Sequence, residues 1–140
     1  MRKAVLYSIS LLFIGCTAGY DLKKVDYGVV LNDRNSKVWI VDEEIQSGIN
    51  LASSIVENKK LIIFHIDGKV QIIPMKALGE RAPKTGDYYL NTNKDEIFFY
   101  FDQEEWQMKF KYFTRDSILI EPIKKGNPDL IWKLKALPKL

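Results

Sequence analysis

One cysteine, Cys16, and one histidine, His65, are all that this chain of 140 residues holds of two side chains that commonly bind transition metals or act as nucleophile and base. A lone cysteine cannot close an internal disulfide, so burial has to hold the fold. A zinc site would need carboxylates from scattered loops around His65, and their spacing offers no such set. No metal or cofactor is expected. The longest leading hydrophobic run falls well short of the roughly 20 apolar residues that cross a bilayer as a helix. Charge of one sign is scarce too: the formal net charge is +3, and part of it sits in Arg2 and Lys3. Without a concentrated basic surface, nucleic acid is not an expected partner.

What the chain does have begins at its start. Arg2 and Lys3 form a positive segment, residues 4–14 an apolar one, and small Gly15 stands directly before Cys16. That layout is a secretory signal, so residues 1–15 are expected to be cut away. Leu11-Leu12-Phe13-Ile14-Gly15-Cys16 resembles the lipobox of bacterial lipoproteins, with Phe13 where that pattern usually has leucine. The resemblance covers residues 1–16 and implies that Cys16 becomes a lipidated N-terminus. One acyl chain binds a membrane marginally, at about 0.8 kcal/mol per buried methylene, whereas two or three hold a protein there stably. A thioether-linked Cys16 also escapes the oxidation that a free thiol would meet outside the cell.

Removal of the leader leaves about 125 residues, one domain by the usual size prior. Loss of Arg2 and Lys3 brings its formal side-chain charge to about +1. Residues 16–36 read as the lipidated N-terminus and a tether, polar and glycine-containing with one short apolar cluster at Val29-Val30-Leu31. Surface-bound lipoproteins of Bacteroidota often carry an acidic run after the cysteine, and Thr17-Ala18-Gly19-Tyr20 is unlike it. Thr17 also differs from the aspartate that retains some lipoproteins at the inner membrane. Those resemblances imply an outer-membrane anchor facing the periplasm.

Residues 37–140 carry strand signals. Val38, Trp39, Ile40 and Val41 open a β-branched and aromatic pattern that returns at 60–66, 69–75, 86–90, 96–101, 105–113, 117–120 and 130–136. Asp67-Gly68 between two apolar runs is the strongest hairpin signal among them. Alternation places Trp106, Met108, Phe110 and Tyr112 on one face of their strand, and Leu130, Trp132, Leu134 and Ala136 on one face of theirs. Segments 60–66 and 96–101 are apolar on both faces, so part of the sheet's outside must be covered, by residues 49–57 or by another protein. Residues 50–58, with Leu51, Ala52, Ile55 and Val56, are the one expected helix.

About eight short strands joined by hairpins, with at most one short helix, predict an all-β antiparallel meander that closes into a small barrel. A two-sheet sandwich accounts for the same pattern. The strand order, with the Trp39 strand able to pair with the Trp132 strand, resembles the lipocalin-like domains of small Bacteroidota outer-membrane lipoproteins, and carries no motif that transfers a binding residue.

No catalytic residue is expected. His65 lies inside an apolar strand, where a histidine is ordinarily structural. Asp42-Glu43-Glu44 and Asp102-Gln103-Glu104-Glu105 read as solvated strand ends, not as an opposed carboxylate pair of the glycosidase kind. Thr114-Arg115-Asp116-Ser117 reads as a turn. The aromatics Trp39, Phe64, Phe98, Tyr100, Trp106, Phe110, Tyr112 and Trp132 either line a cavity or fill a core; in a barrel of short strands, side chains this large are expected to fill it. Two functions follow: a lipid-anchored, non-enzymatic module that scaffolds an envelope protein assembly, similar in size and signal to the accessory lipoproteins of Bacteroidota type VI secretion systems, or a lipocalin-like carrier of a small apolar ligand.

Overall fold

A computed structural model describes residues 26–79 and 83–137. A short helix, α1 (Tyr27–Asn32), precedes nine antiparallel strands: β1 (Ser36–Gln46), β2 (Ile49–Asn50), β3 (Lys60–His65), β4 (Lys69–Pro74), β5 (Lys84–Asn91), β6 (Glu96–Phe101), β7 (Glu104–Phe113), β8 (Ser117–Pro122) and β9 (Ile131–Ala136). Each strand from β3 to β9 pairs with the next, β3 pairs with the first half of β1, and β1 pairs back onto β9 from Trp39 to Ile45. That last pairing closes an eight-stranded barrel and excludes the sandwich; β2 is an extra two-residue strand on the free end of β1.

Closure leaves two ends. At the near end lie α1, the start of β1 and the β3–β4, β5–β6 and β7–β8 turns; at the far end lie the connections β1–β3, β4–β5, β6–β7 and β8–β9. The interior between them is a single cluster that includes Trp39, Phe64, Phe99, Phe101, Met108 and Trp132, all buried. Phe99 and Trp106 each meet the Trp132 ring edge-on with centroids 5.7 Å apart, at interplanar angles of 81° and 64°, so the aromatics interlock.

The turns follow their residues. Asp67 accepts the Lys69 amide at 3.0 Å and Gly68 takes φ 86°, making the expected β3–β4 hairpin. Thr114 Oγ1 accepts from the Ser117 amide at 3.0 Å and donates to the Ser117 carbonyl at 3.0 Å, locking the β7–β8 turn.

Three expectations need correction. Residues 50–58 do not form a helix: they hold the end of β2 and a 3-10 turn, Val56–Asn58. Asn50 Oδ1 accepts the amides of Glu44 and Ala52, at 3.1 and 3.0 Å, and Ser53 Oγ accepts that of Ile55 at 3.1 Å, the donor that a helix would pair with the Leu51 carbonyl. Residues 26–36, expected within the tether, belong to the folded unit. Asp26 caps α1 by accepting the Val29 amide at 3.1 Å, Leu31 is 0% exposed in the core, and Trp39 Nε1 donates to the Leu31 carbonyl at 3.0 Å. The remainder of the tether, 16–25, and the leader lie outside the described residues. Tyr112, expected inward, is 40% exposed, because the β7–β8 register shifts between Phe110 and Tyr112 and turns Phe113 towards the core instead.

The outside of the sheet is partly covered by the chain itself. Leu61 and Ile73 pair across β3 and β4 on the outer face, yet both are buried, at the far end where the 3-10 turns Val56–Asn58 and Met75–Ala77 pack on each other.

Candidate functional site

His65 is held on both sides. Its Nδ1 lies 2.5 Å from Ser36 Oγ and its Nε2 2.9 Å from Gln71 Oε1, contacts that a proton on Nε2 satisfies together. It ties β1, β3 and β4 to one another, the structural role its sequence setting implies.

The acidic clusters are likewise engaged. Asp42 sits at a bulge of β1 within 3.2 Å of Lys59 and 3.3 Å of Lys135. Burial pushes its carboxyl up, but hydrogen bonds and charge from the two lysines outweigh that and hold it below the usual value. Glu44 points into the barrel's far end and pairs with Lys60 at 2.9 Å. Asp102 and Gln103 form the β6–β7 turn with φ 49° and 68°, and Glu105 accepts from Tyr89 Oη at 2.9 Å. Among the described residues no cluster of three or more histidine, cysteine or acidic side chains could hold a metal ion.

At the far-end mouth, Lys84 Nζ stands over the rings of Phe101 and Trp106, at 5.2 and 5.6 Å, and pairs with Asp102 at 3.4 Å. Below it Trp132 is 2% exposed, and its Nε1 finds no hydrogen-bond partner among the described residues. The aromatics named from sequence divide accordingly. Trp39, Phe64, Trp106, Phe110 and Trp132 belong to the packed interior, whereas Phe98 and Tyr100 stand on the outer wall, where Tyr89 stacks on both, at 4.8 and 5.8 Å.

Exposed aliphatic side chains gather at the far end. Ile49, Leu51, Ile55 and Val56 of the β1–β3 connection, Leu78 after β4 and Ile123 after β8 are all exposed there, against Ile66 and Leu137 at the near end. Exposed apolar groups concentrated on one end mark a contact surface more often than scattered ones do.

The near end holds a cleft of about 720 Å³ between α1, the β7–β8 turn and the end of β9. Val29, Val30, Ala136 and Leu137 supply its apolar wall, and Lys37, Arg115 and Lys135 are its cations. Lys37 Nζ is pinned there, donating to the carbonyls of Val30 at 3.1 Å and Arg115 at 2.9 Å above the Trp39 ring. Sequence reasoning does not find this site: its residues are scattered over more than a hundred positions, and its α1 wall falls in a stretch whose composition predicts a tether.

Cys16, the one site residue expected from sequence, lies outside the described residues. No described helix is long and apolar enough to cross a membrane. Comparison of the chain with family models, with curated proteins and with solved structures gives no match in any of the three.

Proposed function

We propose that the protein is a non-enzymatic module, anchored by acyl chains on Cys16 and facing the periplasm, that tethers or scaffolds an envelope protein assembly. One observation carries this reading: the barrel interior is packed with its own side chains, while Ile49, Leu51, Ile55, Val56, Leu78 and Ile123 are exposed at the end away from α1. The chain enters the barrel at Asp26, at the near end, only ten positions after Cys16. A short connection there keeps the near end by the lipid and points the far end outwards, where a protein would cover its apolar residues. The other reading, a lipocalin-like carrier with an apolar ligand inside the barrel, is disfavoured by the same filled interior.

The test is a crosslinking pulldown of the full lipidated protein from detergent-solubilised envelope, with small molecules extracted from the same sample. A scaffold recovers protein partners in stoichiometric amount and loses them when Ile55→Asp and Val56→Asp are combined. Recovery of a lipid or hydrophobic metabolite from the folded barrel, with no protein partner, would replace the scaffold by the carrier.

A further inference from the structure

The near-end cleft has the size and the mixed lining of a small-molecule site. Pockets for such ligands run roughly 300–1,000 Å³, mostly apolar with a few convergent polar groups, and this one measures about 720 Å³. Its wall joins residues from both ends of the described chain: Val29 and Val30 from α1, Ala136 and Leu137 from the end of β9. Leu137 is 42% exposed, so apolar surface is left uncovered inside a concave space.

The polar groups choose the ligand's head. Lys37 is engaged with two carbonyls, and Lys135 is drawn to Asp42 at 3.3 Å. Arg115 is different: its backbone carbonyl holds Lys37, while its guanidinium makes no hydrogen bond, ion pair or ring contact among the described residues. A guanidinium presents paired donors that match a carboxylate. Asp33 and Asp116 also line the cleft, so its cationic excess is small and a multiply charged anion is not favoured.

We propose that this cleft binds a single-chain fatty carboxylate, with the head on Arg115 and the chain along Val29, Val30 and Leu137. The site lies outside the packed barrel and is independent of the scaffold reading; it places a ligand where the fold has room, not where a carrier of this shape would hold one.

The experiment uses the full chain with Cys16→Ser, so that no acyl group of its own competes, and titrates dodecanoate below its micelle concentration by calorimetry. Binding with one-to-one stoichiometry is expected, with amide shifts centred on Val29, Arg115 and Leu137 in a parallel NMR titration. Each methylene withdrawn from water contributes at most about fourfold, so dodecanoate should bind at least about tenfold more tightly than octanoate. Arg115→Ala should weaken dodecanoate about tenfold or more and abolish its advantage over dodecyltrimethylammonium. Leu137→Asp, at an exposed position beyond the last strand, should weaken it similarly with the fold intact by circular dichroism. Unsaturable binding, or binding unmoved by both substitutions, as at the apolar leader, would overturn the proposal. So would equal affinity for the cationic amphiphile, shifts centred on the far-end mouth around Trp132, or inorganic phosphate binding as tightly as dodecanoate.

Discussion

Gly86 on β5 lies against the ring of Phe101 on β6: a Cβ built on Gly86 would stand 2.5 Å from Phe101 Cδ1 and closer still to the carbonyl oxygen of Tyr100. The phenyl ring occupies the space that any larger residue would claim, and the backbone carbonyl behind it cannot rotate away. Gly86→Ala should therefore destabilise the barrel by about 1–3 kcal/mol, the cost of overpacking a close-packed interior. Urea denaturation read by tryptophan fluorescence measures it, and an unchanged midpoint would mean that β5 and β6 are not in this register.

Leu31 and Leu51 are the same residue type in opposite situations, 0% and 56% exposed. Leu31→Ala removes a side chain from the core and should cost about 2–5 kcal/mol, whereas Leu51→Ala should change stability by less than about 0.5 kcal/mol. Equal, small effects would return residues 26–36 to the tether and remove α1 from the folded unit.

Asp42 supplies a pH dependence of definite sign. Its carboxyl is held below the usual value in the folded state, despite burial, by Lys59 and Lys135. The stabilisation is then fully present above the ordinary aspartate pKa of about 3.9 and is lost as pH falls through the lower folded value. Asp42→Asn should cost on the order of 1 kcal/mol at neutral pH and flatten the stability profile in the acid range, as measured by denaturation midpoints from pH 2 to pH 7.

Tyr27 supplies another at the alkaline side. Burial first, and then the hydrogen bond to Asp95 and the Asp95 charge, push its phenol up to about 12. Its contribution is present below the ordinary tyrosine pKa of about 10 and is lost as pH rises through about 12. A phenolate absorbance titration should show late-titrating tyrosines, since Tyr88 and Tyr89 are raised as well, and Asp95→Asn should bring one of them, Tyr27, forward. A late component that Asp95→Asn leaves unmoved would detach Tyr27 from Asp95.

Cys16→Ser should abolish lipid modification and move the protein out of the membrane fraction. Metabolic labelling with an alkyne fatty acid, followed by fractionation, reads both effects. Unchanged membrane association would remove the anchor on which the scaffold proposal rests.

The barrel was legible because its evidence is local. Alternation in β9 and the Asp67-Gly68 turn are properties of neighbouring residues, and both stand in the structure as read. The expectation that His65 is a satisfied residue of an apolar strand matches its contacts, with Ser36 and Gln71 on its two ring nitrogens. The expected helix over 50–58 failed because its apolar periodicity had no surface to pack on: Leu51, Ile55 and Val56 remain exposed, and the local side-chain hydrogen bonds prevailed. Helix α1 was hidden by the opposite case. Six residues containing glycine and two valines have poor intrinsic helicity, and what stabilises them is Leu31 buried in the core with its carbonyl held by Trp39, and Asn32 donating to Tyr88 Oη.

By itself, then, the sequence determined the strand pattern, the turns and the meander, because alternation and turn chemistry act within a few residues. The strand order already pointed to closure of the Trp39 strand on the Trp132 strand; tertiary structure alone decided the bulged register of that closure, that the β7 bulge turns Tyr112 outwards and Phe113 inwards, and that Val29, Arg115 and Leu137 share one cleft. Those outcomes depend on contacts between residues far apart in the chain, and spacing along a strand carries no record of them.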